Sequence, residues 1–175
     1  MSLDGFIADE RGNFDWAAPD EEVHRFVNEL ERPVGTYLYG RRMYETMVYW
    51  ETAGEESDVT REFARIWRGT DKVVYSRTLQ GVSSAHTRIE RHFEPEDVLR
   101  MKDSASRDLT VGGAELAGEA LKAGLVDELQ IFVVTAIVGA GKKALPADVF
   151  VNLRLAGERR FGNGTMFLRY ETVHS

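Results

Sequence analysis

Short apolar runs that stop at a glycine or a hydroxyl, each giving way to a new segment, constrain this chain more than any other feature. Thr36-Tyr37-Leu38-Tyr39 closes on Gly40, Lys72-Val73-Val74-Tyr75 on Ser76, and Leu109-Thr110-Val111 on Gly112-Gly113. Segments of helical period stand between them. Val23, Phe26, Val27 and Leu30 recur at i, i+3, i+4, i+7 and predict a helix from Pro19 to Glu31, ended by Pro33. A short helix is expected from Arg42 to about Val48. Val59, Phe63, Ile66 and Trp67 form the inner face of another, with Ser57 as N-cap and Gly69 as its stop. Ala114 to Ala123 is rich in strong helix formers, with Gly124 beyond its end. Leu129 to Val138 reads as one strand covered on both faces. Val151–Ala156 and Thr165–Thr172 flank Asn163-Gly164, a pair favoured in tight reversals. Strands alternating with helices imply crossover connections. The fold class is therefore α/β, with a mostly parallel central sheet flanked by helices and a C-terminal antiparallel hairpin.

No repeat or linker divides the sequence, and residues 1–175 are expected to form one domain. The net charge of −7 is spread along the chain, with no Lys/Arg run of the kind that marks a nucleic-acid surface. The chain has no cysteine, which excludes disulfides, thiolate catalysis and cysteine-ligated zinc. No apolar stretch reaches the ~18–20 residues that span a bilayer. The start carries no secretory pattern, so the expected location is the cytoplasm and no membrane partner is expected.

Chemistry concentrates where the strands end, because open α/β sheets bind ligands outside the carboxyl ends of their strands. Gly40-Arg41-Arg42 joins a tight turn to a helix start and two guanidinium groups suited to phosphate. Ser76-Arg77-Thr78 offers two hydroxyls and a guanidinium to a phosphomonoester such as the 2′-phosphate of NADPH. Val111-Gly112-Gly113-Ala114 removes two Cβ atoms where a pyrophosphate would press on the backbone. It is not the G-x-G-x-x-G fingerprint, so a standard Rossmann site is excluded. Each corner alone is equally a plain turn. The three in order describe a pocket for an anionic dinucleotide.

Four segments carry a wider resemblance: Ser2-Leu3-Asp4-Gly5-Phe6-Ile7-Ala8, Gly40-Arg41-Arg42-Met43-Tyr44-Glu45, Val111-Gly112-Gly113-Ala114-Glu115-Leu116 and Gly124-Leu125-Val126-Asp127-Glu128-Leu129. From Ser2 to about Tyr170 the chain resembles the riboflavin-biosynthesis reductase family (RibD C-terminal domain), whose fold is dihydrofolate-reductase-like. The resemblance implies a stand-alone NADPH-dependent reductase of a small heterocyclic, pyrimidinone- or pterin-like substrate, often a homodimer. It puts Gly40, Arg41 and Arg42 on the cofactor phosphates, Ser76, Arg77 and Thr78 near the 2′-phosphate, and Gly112, Gly113, Ala114 and Glu115 near the pyrophosphate. Asp4 matches an aspartate at the substrate, and Val138-Gly139-Ala140-Gly141-Lys142 matches a glycine-containing loop. Members carry an apolar first strand before S-L-D-G. Only Met1 precedes it here, so the first strand is expected to be truncated. The zinc deaminase signature of the bifunctional riboflavin enzyme is absent.

The nicotinamide is expected near Ala8 and Trp16, with Asp4 binding substrate or helping proton delivery; a turn before Gly5 is the other reading of Asp4. Trp16 and Trp50 are candidates for the pocket wall, with packing as the alternative. Authentic dihydrofolate reduction is an alternative function. Its pterin-binding carboxylate would fall around His24, Glu21 or Glu22, and none matches cleanly. A non-catalytic NADP(H)-binding sensor or scaffold is a third reading. His24, His86, His92 and His174 lack metal-ligand spacing and are expected at the surface or in caps; no metal site is expected. Glu55–Asp58 and Glu94–Asp97 read as solvated loop or helix-start acids, and Met43 and Met47 as core.

Overall fold

The computed structural model describes residues 1–53 and 56–173, so Glu55 and His174 lie outside the described residues. In chain order the elements are β1 (Phe6–Asp9), α1 (Glu21–Glu31), β2 (Val34–Gly40), α2 (Arg41–Met47), α3 (Asp58–Gly69), β3 (Asp71–Tyr75) and β4 (Thr87–Glu90). Then come α4 (Pro95–Ser104), β5 (Asp108–Gly112), α5 (Ala114–Lys122), β6 (Glu128–Val133), β7 (Gly141–Lys143), β8 (Asn152–Arg160) and β9 (Met166–Val173). Two compact units divide the chain: His24–Ala117, and Met1–Val23 with Gly118–Ser175.

The unit His24–Ala117 holds a four-stranded parallel sheet in the order β4-β3-β2-β5. Its inner strands read as continuous apolar runs because helices cover them, and Val73 and Val74 are fully buried. Each such side chain contributes about 1.5–3 kcal/mol. Tyr44 of α2, Phe63 and Trp67 of α3, and Tyr37 and Tyr39 of β2 form one cluster, against which Val27, Met43 and Met47 pack. Ser57 and Thr60 form a reciprocal capping box that starts α3, as the N-cap reading requires. Asn28 ties α1 to α3 by donating from Nδ2 to the Val59 carbonyl and to Glu62, each at 3.0 Å.

The other unit carries an antiparallel sheet in the order β6-β9-β8 and the antiparallel pair β1–β7. At the β8–β9 turn the Gly164 amide donates to the Phe161 carbonyl and the Phe161 amide to the Thr165 carbonyl, both at 3.0 Å. Phe161 and Phe167 are buried, and the Phe132 ring lies 5.0 Å from that of Phe167. The Val134 amide donates to the Met1 carbonyl and the Leu3 amide to the Ala136 carbonyl, so the chain start lies along the segment after β6.

The α/β class, the parallel sheet and the antiparallel ending are as expected; several local readings are corrected. Leu129–Val138 is not one buried strand: β6 stops at Val133, pairs antiparallel with β9, and leaves Glu128 and Gln130 exposed. The apolar run beyond it is irregular backbone leading to β7. β1, β4 and α4 were not anticipated as elements. β4 is an edge strand whose Arg88 and Glu90 are exposed, so its composition reads as loop. His24 is not a surface residue; it lies half-buried, its ring 5.4 Å from Phe63 and 5.9 Å from Trp50, and burial lowers its pKa. Met43 and Met47 pack on the core as expected.

Candidate functional site

Parallel strands release their following residues on one side of the sheet, and register decides which of those residues are neighbours. Gly40 stands opposite Tyr75, and Tyr39 opposite Gly112. The corners beginning at Gly40, Ser76 and Gly112 therefore emerge side by side from β2, β3 and β5, spaced by about 4.8 Å per strand. Side chains join them. Arg41 Nη1 donates to Thr78 Oγ1 at 2.9 Å while its Nε donates to Glu45 at 2.7 Å, and Arg42 lies 3.9 Å from Glu115. Arg41, Ser76 and Gly113 thus belong to one surface.

Gly113 sits at φ +95°, where an added Cβ would also come 3.3 Å from Met43 Cβ. Glycine is required there by conformation and by the close passage of α2. No side chain caps the start of α2. At the β3 corner Ser76 is buried, and its Oγ accepts from the Leu79 amide at 3.0 Å and the Thr78 amide at 3.4 Å. Its hydroxyl hydrogen remains free to donate. Arg77 is exposed, with neither a hydrogen bond nor an ion pair among the described residues. The exposed pairs Arg41–Glu45 and Arg42–Glu115 are weak in water and give way readily to a stronger anion. In a chain of net charge −7, this is a locally cationic surface. Arg91, which the sequence reading passed over, donates from Nη1 to the carbonyls of Ser76 at 3.0 Å and Leu79 at 2.7 Å. The run Arg91-His92-Phe93 has no glycine corner to single it out.

The other expected residues belong to other elements. Ala8 pairs with Lys142 across β1–β7. Trp16 lies half-buried in a single turn (Asp15–Ala17), its Nε1 donating to the Asn13 carbonyl at 3.2 Å. Trp50 packs as a core-edge residue, its ring 4.7 Å from Phe63 and 5.2 Å from Tyr49. Glu22, near the position of a pterin carboxylate, accepts from the Gly162 amide at 2.9 Å and from Arg159 at 3.4 Å.

Asp4 is committed to its own unit. Its carboxylate accepts from Ser2 Oγ at 2.6 Å, from the Gly139 amide at 2.7 Å and from the Val138 amide at 3.1 Å. Those bonds, Ser2 first, hold its pKa down to about 2, so it is ionised at neutral pH. A carboxyl whose folded pKa is depressed stabilises the fold above its ordinary value of 3.8 and loses that contribution as pH falls towards 2. The melting-temperature gap between wild type and Asp4→Asn is accordingly expected to stay constant above pH 4 and to shrink below it. A gap independent of pH would remove this anchoring role.

The family model of the RibD C-terminal domain matches residues 1–167. The chain belongs to the RibD C-terminal domain family. YyaP, an uncharacterized protein of Bacillus subtilis (strain 168), is 28% identical over 174 residues, covering 97% of this chain and 90% of its own. A riboflavin biosynthesis protein from Shewanella sp. PV-4, described as putative, shares the fold at a TM-score of 0.77 and 18% identity, over 99% of this chain and 96% of its own. A pyrimidine reductase-like protein from Corynebacterium diphtheriae does so at a TM-score of 0.70 and 13% identity, over 100% and 90%. The architecture is the dihydrofolate-reductase-like one of RibD proteins. No helix among the described residues is long and apolar enough to cross a membrane.

Proposed function

We propose that this RibD C-terminal domain protein is an NADPH-dependent reductase of a small heterocycle of pyrimidinone or pterin type. The observation that carries the reading is the convergence of three phosphate-type corners on adjacent strand ends of one parallel sheet. Family membership and a structural neighbour described as pyrimidine reductase-like support it. Gly40, Arg41 and Arg42 would take cofactor phosphates, Gly112 to Glu115 the pyrophosphate, and Ser76, Arg77 and Thr78 the 2′-phosphate. The cofactor supplies the hydride when bound; the protein binds, orients and excludes water. The corners fit such a group. Gly113 lets the backbone approach, the Ser76 hydroxyl has a hydrogen to give, and Arg77 has no hydrogen bond or ion pair among the described residues.

The test is titration with NADPH and NADH, followed by turnover on a panel of pyrimidinones and pterins. Wild type is expected to prefer NADPH. Arg77→Ala should weaken NADPH by about 10–100-fold, the loss of a charge-assisted phosphate contact, and leave NADH nearly unchanged. Equal loss for both cofactors would overturn the 2′-phosphate assignment. Binding without turnover on any substrate would favour a non-catalytic NADP(H) sensor.

A further inference from the structure

We propose that Arg91 is the positioning residue that makes the β3 corner selective for a phosphomonoester, acting through the Ser76–Leu79 turn; this rests on the NADPH reading above. β3 and β4 run parallel with Tyr75 opposite Glu90, so Arg91 leaves β4 beside the point where Ser76 leaves β3. The Ser76 amide donates to the Glu90 carbonyl at 2.9 Å and fixes that junction. A single nitrogen, Arg91 Nη1, then bonds the carbonyls of Ser76 and Leu79, the first and last residues of the turn. Within it, the Thr78 and Leu79 amides are directed onto Ser76 Oγ. The turn is thus held at its two carbonyls by a cation and at its amides by a buried hydroxyl. Charge-assisted bonds of this kind are about twice as strong as neutral ones.

What the turn presents are Arg77, without a hydrogen bond or ion pair among the described residues, and Thr78, whose hydroxyl already accepts from Arg41 and keeps its hydrogen to donate. Both serve an anion only if the backbone between Ser76 and Leu79 is ordered before the ligand arrives, since ordering it afterwards subtracts from binding. Arg91 supplies that order. Cofactors that lack a phosphomonoester gain nothing from it.

The test measures dissociation constants for NADPH, NADH and adenosine 2′,5′-bisphosphate on wild type, Arg91→Ala and Arg91→Lys, with folding checked by circular dichroism. Arg91→Ala is expected to weaken NADPH and the bisphosphate about tenfold, to leave NADH within about twofold, and to raise KM for NADPH without lowering kcat. Arg91→Lys, which keeps a cationic donor, should restore most of the preference. An unchanged NADPH-to-NADH ratio in Arg91→Ala overturns the proposal, whether both cofactors bind as before or weaken together. If Arg91→Ala does not fold, Arg91→Gln carries the same ratio test. A wild type that shows no preference for NADPH and does not bind the bisphosphate instead overturns the cofactor reading itself, and the two failures are distinguishable.

Discussion

Gly141→Ala is expected to destabilise the protein by about 4 kcal/mol, near the upper end for single substitutions, and to lower its melting temperature by roughly 10 °C. Gly141 pairs with Asp9 at the end of β1–β7 and lies at φ +141°. A Cβ there would stand 2.1 Å from the Ala8 carbonyl oxygen and 2.8 Å from Asp9 Cα. Those contacts are backbone, so no side chain can swing away to relieve them; the strand pair itself must part. Gly139, in the same loop, is the control. It also has positive φ, at +84°, but no atom lies within 4 Å of the position its Cβ would take. Gly139→Ala should therefore cost only the conformational penalty, about 1 kcal/mol. Thermal melts of the two variants decide the matter, and equal losses would show that close passage of β1 plays no part.

The second large effect depends on pH. Lys72 is 1% exposed, and among the described residues no carboxylate bonds to it. Its Nζ donates to the Thr70 carbonyl at 2.7 Å and the Ala85 carbonyl at 3.3 Å, and lies 4.3 Å from the centre of the Trp67 ring. Burial pushes its pKa down to about 8 from 10.5, against the pull of Glu51 and Asp71. A cation that is harder to protonate in the fold than in the unfolded chain costs stability while charged. Below pH 8 both states carry the charge and the cost is complete. As pH rises from 8 towards 10.5 the unfolded chain holds more protons, and stability increases. At about 1.4 kcal/mol per pKa unit, the swing approaches about 3 kcal/mol. Lys72→Met removes it. The stability of the variant relative to wild type is expected to fall by up to that amount between pH 7 and 10, or roughly 6–12 °C in melting temperature. Tyr37 and Tyr39, whose phenols burial pushes up, affect both proteins alike and cancel in the difference. Parallel pH profiles for the two proteins would mean that Lys72 carries no such cost.

The legible parts of this protein are those written in short-range signals. Helical spacing located α1 and α3, Ser57 marked its cap, and the corners at Gly40, Ser76 and Gly112-Gly113 announced the strand ends that register then placed together. What stayed hidden depends on distant partners. Asp4 reads as a substrate or turn residue, and only Val138 and Gly139, far along the chain, show its carboxylate accepting backbone amides. The burial of Lys72 has no local sign, since lysine is almost never buried unpaired. Arg91 binds two carbonyls, a role with no residue pattern at all. The misreading of β6 has a different source: periodicity cannot tell an apolar run that is paired from one that continues as irregular backbone. β4 failed for the opposite reason, since an edge strand with charges turned outward looks like a loop.

All three corners are drawn from the stretch between His24 and Ala117, and none from the two flanking pieces of chain. Were the proposed anion site to hold, its residues would travel together through any recombination that leaves that one stretch intact.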